Sequence, residues 1–270
     1  MIDLHSHVLP GIDDGPRTLE TSLGMLRAAA ADGITQVAAT PHVRDDHPTR
    51  PEAMEAGVAS VNAAAREAGI PVEVLTGGEL DREYVQTLDD ASLRRFGLGG
   101  NPEALLLEFP YYGWPLELAD VVFRLSAGGF RVVLAHPERN GEVQRDPGRL
   151  RELADAGVLM QLTAASLDGR SGRRTLECAR LLLDEGLAHL IASDAHAPSV
   201  RAIGMSAAAD AVGDPELGRW LTHDVPSAIV TGSPVPPRPP LHAGGAFRPS
   251  GATPYPAIEN PAGANHNCRA

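Results

Sequence analysis

Short aliphatic runs alternate with longer stretches of helical period along most of the chain. The runs are MIDLH, GITQVAAT, PVEVLTGG, EALLLEF, RVVLAH, VLMQLTA and AHLIASD. Their length and aliphatic character predict strands, and the nearly continuous apolar character predicts a sheet covered on both faces. Between them lie amphipathic segments such as RTLETSLGMLRAAAADG, RPEAMEAGVASVNAAAREAG and RRTLECARLLLDEG. Several close on glycine before the next strand, as a helix C-terminus does. Asp13 or Asp14, followed by Gly15 and Pro16, predicts a helix start with the proline in its first turn. Strands spaced by a βα unit of about thirty residues predict consecutive parallel pairing. An α/β barrel related to the eight-stranded type or an open doubly wound sheet satisfies that pattern.

The pattern stops at residue 233. SPVPPRPPLHAGGAFRPSGATPYPAIENPAGANHNCRA carries no periodic apolar positions and is rich in proline, so residues 233–270 are expected to form a disordered tail behind one domain at 1–232. A length of 270 residues accommodates such a domain. The net charge of −12 argues against nucleic acid as the main partner, because phosphate backbones are held by basic patches. Two cysteines imply no disulfide framework. No signal peptide or apolar run of membrane-spanning length is visible, so the expected location is the cytoplasm, without membrane insertion.

Candidate chemistry sits where the predicted strands end. The first ends in His5 and His7, which share a face in an extended segment, with Asp14 in the loop beyond. The following strands end in His42, Glu79, Glu108 and His136, and the last in Asp194 and His196. In a parallel barrel those ends form one face, the one that carries active sites. Carboxylates crowded together there repel one another unless cations neutralise them. Five imidazoles and four carboxylates exceed the needs of one ion, and a thiolate-free donor set suits manganese, iron or zinc.

The motifs DLHSHVLPGIDDG, TPH, GGEL, LLLEFP, AHPER, TAASLDG and IASDAH resemble those of the polymerase and histidinol phosphatase (PHP) superfamily. More closely, they look like its bacterial protein-tyrosine phosphatases of capsule and exopolysaccharide systems. The resemblance covers about residues 1–232. It implies a distorted seven-stranded (β/α) barrel with a trinuclear site. One metal would take His5, His7, Glu108 and Asp194; a second Glu79, Glu108 and His136; a third Asp14, His42 and His196. It also implies that Arg139 and Arg201 bind the phosphate, and that the substrate is a bacterial tyrosine kinase. Relatives commonly place a second histidine after the one in TPH; here Val43 stands there, followed by Arg44 and His47.

The expected reaction is phosphomonoester hydrolysis by a metal-activated hydroxide, with arginines favouring the charge of the transition state. A tyrosyl leaving group, with a pKa near 10, needs little protonation. Phe109, Tyr111, Tyr112 and Trp114 offer either a wall for a phenyl ring or a small hydrophobic cluster beneath the loop. A small-molecule phosphatase, such as one for histidinol phosphate, shares this chemistry. A metal-dependent amidohydrolase also opens on HxH, but many of those bridge their metals through a carboxylated lysine, and this chain contains no lysine. A binding module is disfavoured because it would have lost ligands. Cysteine catalysis requires an arginine six positions after the cysteine, where Cys178 has Asp184.

Overall fold

The computed structural model describes residues 1–197 and 202–240. Its strands are β1 (Ile2–Ser6), β2 (Gln36–Ala39), β3 (His42–Arg44), β4 (His47–Pro48), β5 (Glu73–Leu75), β6 (Glu79–Leu80), β7 (Ala104–Glu108), β8 (Arg131–Ala135), β9 (Leu159–Thr163) and β10 (Leu190–Ala192). One sheet runs β1-β2-β5 and the other β10-β9-β8-β7-β6-β3-β4, and every pairing except the antiparallel β3–β4 hairpin is parallel. The seven predicted runs thus become seven strand positions, two of which are broken: β2 continues as β3 and β5 as β6. A parallel bridge between Ser6 and Ala195 links β1 to the end of β10, and the two sheets close into a distorted barrel.

Local chemistry explains the breaks. Pro41 interrupts the second strand because it has no N–H to give the ladder. Gly78 interrupts the third, where a Cβ would lie 2.7 Å from the Phe96 ring. After each break the chain passes from the first sheet into the second, where His42 and Glu79 pair in register. Among the central strands, Ala104 to Leu107 and Val132 to Ala135 are buried without alternation, as a sheet covered on both faces requires. Helices α1 (Leu19–Ala31) and α2 (Pro51–Glu67), and later helices at Leu118–Ala127 and Arg173–Asp184, turn apolar faces to that sheet.

Two local expectations are corrected. The first helix does not begin at Asp13 or Asp14; it begins at Leu19 behind an N-cap at Thr18, whose hydroxyl accepts from the Thr21 N–H. The aspartates are thereby left in a loop, with carboxylates free to turn toward the barrel mouth. The β3–β4 hairpin has no counterpart in the hydrophobic pattern, because its residues VRDDHP are mostly polar.

Residues 233–240, assigned from sequence to the tail, lie against the barrel. The Ser233 carbonyl accepts from Arg131, the Pro236 carbonyl from the Trp220 indole at 3.0 Å, and Arg238 donates to the Leu183 carbonyl at 2.7 Å. The remainder of the expected tail, residues 241–270, lies outside the described residues. No helix among those described is long and apolar enough to cross a membrane.

Candidate metal centre

All nine predicted ligands converge at the C-terminal mouth of the barrel. Their donor atoms form overlapping groups: His7, Asp14, His42 and His196; His5, Glu79 and His136; His5, His7 and Asp194; and His42, Glu79 and Glu108. Within each group all donor atoms lie within 4.8 Å of one another. Eight of the nine residues are nearly inaccessible or only slightly exposed; the Asp14 side chain is 46 % exposed and opens the site to solvent.

Glu79 is the shared carboxylate in this structure. Its Oε2 lies 3.4 Å from His5 Nε2, 3.3 Å from His7 Nε2 and 2.9 Å from His42 Nδ1, while Oε1 lies 2.9 Å from His136 Nε2. Glu108, expected to bridge two ions, stands one strand further on, 4.0 Å from His42 Nδ1 and held by Arg44. Asp194 Oδ1 lies 3.4 Å from His5 Nε2 and 3.5 Å from His7 Nε2. Asp14 Oδ1 sits 3.2 Å from His196 Nε2 and 3.5 Å from His42 Nε2.

Charge and burial oppose each other throughout the cluster. Burial disfavours ionised Glu79 and Asp194, but the neighbouring imidazoles outweigh it and hold both carboxyls well below their usual range. Burial likewise disfavours charged His5 and His7, yet Glu79 and Asp194 beside both, with Asp13 on His7, raise the two. Glu108 has weaker cationic support, and burial together with the Glu79 charge pushes its carboxyl up to about 7.

The donors fit divalent cations on an observation independent of residue type. His5 Nε2, His7 Nε2, His42 Nδ1 and Glu79 Oε2 are buried, point into the cluster and make no hydrogen bond. A buried polar atom without a partner costs about 1–3 kcal/mol, so four together point to a ligand that satisfies them. On the outer side, His5 Nδ1 donates to Gln161 Oε1 at 2.8 Å, His7 Nδ1 to Asp13 Oδ2 at 2.7 Å and His196 Nδ1 to the Asp194 carbonyl at 3.0 Å. Protonated Nδ1 leaves the Nε2 lone pair facing inward, the tautomer a metal-binding imidazole requires.

A family model for capsular polysaccharide synthesis proteins, CpsB/CapC, matches residues 1–222. The chain belongs to the CpsB/CapC family. Among its relatives, the tyrosine-protein phosphatase YwqE of Bacillus subtilis is 34% identical over 197 residues, spanning 73% of this chain and 77% of YwqE. The tyrosine-protein phosphatase CpsB of Streptococcus agalactiae serotype III is 28% identical over 208 residues, 74% of this chain and 85% of CpsB. A solved structure from work on YwqE of B. subtilis and CpsB of Streptococcus pneumoniae, described as metal-dependent tyrosine phosphatases, aligns with a TM-score of 0.79 at 31% identity. It covers 90% of this chain and 100% of its own.

In this CpsB/CapC chain Arg139 lies at the mouth, its Nη1 on Asp194 Oδ2 at 2.5 Å and 3.3 Å from the Tyr111 hydroxyl. Arg201 lies outside the described residues. The aromatic loop after β7 divides between its two readings. Phe109 and Trp114 pack edge to face at 5.8 Å beneath the loop, whereas Tyr111 is partly exposed and stacks on His136 at 5.7 Å between ring centres. Cys178 is buried in a helix, and its thiol is pushed up to about 12 by burial and the Glu138 charge, which suits a core residue and no nucleophile.

Sequence reasoning missed Asp13, Gln161 and Asp3. Asp13 also accepts from the Gly15 and His42 N–H groups, at 3.0 and 3.1 Å. Its motif Asp-Asp-Gly was a signal, since an aspartate two residues before glycine readily forms an Asx turn. Gln161 was legible as the amide side chain in the middle of the buried strand LMQLT. Asp3, also wholly buried, binds the Ser193 N–H at 2.9 Å and the Ser193 hydroxyl, tying β1 to the segment that carries Asp194.

Proposed function

We propose that this chain is a metal-dependent protein-tyrosine phosphatase that hydrolyses phosphotyrosine on a bacterial tyrosine kinase of the capsule or exopolysaccharide machinery, in the cytoplasm. The observation that carries the reading is the nest of overlapping donor groups in which His5 Nε2, His7 Nε2, His42 Nδ1 and Glu79 Oε2 are buried without a hydrogen bond. His5, His7, Asp14, His42, Glu79, Glu108, His136, Asp194 and His196 hold two or three divalent cations there, with manganese the first candidate on donor chemistry. Residues 1–232 carry this activity, with residues 233–240 packed against the barrel.

Bound cations supply a nucleophilic water at neutral pH and polarise the phosphoryl oxygens. The protein contributes orientation. Gln161 and Asp13 lock the rings of His5 and His7, so the inward lone pairs are fixed before any ligand arrives. Arg139, always protonated and anchored between Asp194 and Tyr111, offers its planar fork to two phosphoryl oxygens. Arg201, outside the described residues, is assigned the same task on the resemblance alone. The Tyr111 ring provides a face for the phenyl group of the substrate, and its stack on His136 places that face beside the cluster. The departing tyrosyl oxygen, with a pKa near 10, leaves without a strong general acid.

The test compares chelator-stripped and manganese-loaded protein on a phosphotyrosine peptide, a phosphoserine peptide and histidinol phosphate, with His136→Ala as control. Manganese-dependent turnover favouring phosphotyrosine and absent in the variant is expected. Equal or faster turnover of histidinol phosphate would move the protein to the small-molecule branch.

A further inference from the structure

The cluster is approached by a second arginine that the phosphate assignment above leaves unused. Arg44 follows His42 by two residues on β3, so strand periodicity puts both side chains on the same face. Its Nη1 donates to Glu108 Oε1 at 3.0 Å, and its Nε lies 2.7 Å from Asp46 Oδ1. The side chain is 27% exposed, which sets the guanidinium at the rim of the mouth. The hairpin fixes it there: Arg44 pairs across to His47, whose ring stacks on His42 at 5.8 Å.

Arg139 is its counterpart. It rises from the turn after β8, and β6 and β7 lie between β8 and β3 in the sheet, so the two guanidiniums enter the mouth from separate walls. Each rests on a carboxylate of the cluster, Arg44 on Glu108 and Arg139 on Asp194. Two chain segments unrelated in sequence thus each deliver a guanidinium whose Nη1 rests on a carboxylate of the cluster. With Nη1 on Glu108 and Nε toward Asp46, the Nη2 hydrogens of Arg44 have no partner among the described residues.

We infer that Arg44 binds the phosphoryl group of the substrate opposite Arg139, and that the pair selects phosphate monoesters over diesters. The inference rests on the phosphatase reading. A monoester dianion presents three non-bridging oxygens, enough for both forks, whereas a diester offers two and carries a second ester chain into one of the arginines.

The experiment measures, in manganese-loaded wild type, Arg44→Ala and Arg44→Lys, the inhibition constant of inorganic phosphate, kcat and KM for a phosphotyrosine peptide, and bound metal. Loss of a charge-assisted hydrogen bond predicts a rise of about 10- to 100-fold in both the phosphate constant and KM in Arg44→Ala, with metal content unchanged. Arg44→Lys recovers only part of it, because a point charge does not reproduce the fork. It also guards against a folding defect in the alanine variant. An unchanged phosphate constant, or a loss traced wholly to lower metal content, would overturn the role of Arg44, leaving it a support for Glu108. Wild-type protein that neither hydrolyses the peptide nor binds phosphate would instead overturn the phosphatase reading and this inference with it.

Discussion

Asp13 carries no ligand role, yet its loss should weaken metal binding more than many surface changes near the site. Its Oδ2 accepts from His7 Nδ1 at 2.7 Å and from the His42 N–H at 3.1 Å, and Oδ1 accepts from the Gly15 N–H at 3.0 Å. Burial opposes the charge, but His7 and the two backbone donors hold the carboxyl well below its usual range. In Asp13→Asn the best orientation keeps oxygen on His7 and His42 and turns the amide nitrogen to Gly15, donor against donor. One buried hydrogen bond is lost, and the charge that fixed the His7 tautomer disappears, at a combined cost of about 1–3 kcal/mol. Because 1.4 kcal/mol is tenfold, manganese affinity should fall about 10- to 100-fold. Calorimetric titration of manganese into chelator-stripped wild type and Asp13→Asn reads this directly, with the exposed Asp45→Asn as control. Affinity unchanged within twofold would refute the claim that Asp13 orients His7.

Further outcomes follow from other contacts. In Gly15→Ala the new Cβ would meet the His7 carbonyl oxygen at 2.3 Å; the loop must shift, and manganese affinity should drop with the far-UV circular dichroism unchanged. Tyr111→Ala removes the ring stacked on His136 and should raise KM for aryl phosphates about 2- to 10-fold while sparing alkyl phosphates, checked by steady-state kinetics on both. His189, far from the ligands, is lowered from 6.5 to about 4, chiefly by burial, and its Nδ1 accepts from the Met160 N–H at 3.1 Å. The unfolded chain therefore binds this proton first, so the stabilisation is complete above pH 6.5 and lost as pH falls toward 4. That amounts to about 3 kcal/mol, and urea titrations of His189→Asn, which keeps an acceptor but does not titrate, should show a correspondingly shallower acid loss. Stripping the metal should lower Tm by about 5–10 °C relative to protein with manganese at a hundredfold excess over its dissociation constant, measured by scanning calorimetry.

The fold was legible where a run of aliphatic residues forces a buried strand. Leu105, Leu106 and Leu107, or Val132, Val133 and Leu134, can be accommodated only between two covered faces, and the ligands follow because they close such runs. Residues positioned by hydrogen bonds left weaker traces. Asp13 looked like a helix cap because an aspartate before Gly-Pro satisfies that pattern equally well; only the distance from its carboxylate to His7, set by packing of remote segments, separates the roles. Glu79 and Glu108 could not be ranked from sequence, since both end strands. The breaks at Pro41 and Gly78 let β3 and β6 pair in the second sheet and bring Glu79 among four imidazoles, while Glu108 at the end of unbroken β7 stands at the margin.

Backbone conformation ties these observations together. Only two described residues other than glycine have positive φ: His136 at 41° and Asp194 at 50°. Both are candidate ligands, and both stand within two residues of the end of a barrel strand. A left-handed conformation costs a branched or ring-bearing side chain about 1–3 kcal/mol, so surrounding bonds must enforce it. They do: the His136 N–H donates to the Gln161 carbonyl and its carbonyl accepts from Arg139, while the Asp194 N–H donates to the His5 carbonyl. The partners are the residues already assigned to the site. Gln161 fixes the His5 ring, Arg139 pairs with Asp194, and His5 faces both carboxylates. The strain is therefore held by the same network that orients the donors, and relaxing either residue would turn its side chain out of the cluster. A barrel built for packing alone gains nothing from that arrangement; a preorganised ligand set requires it.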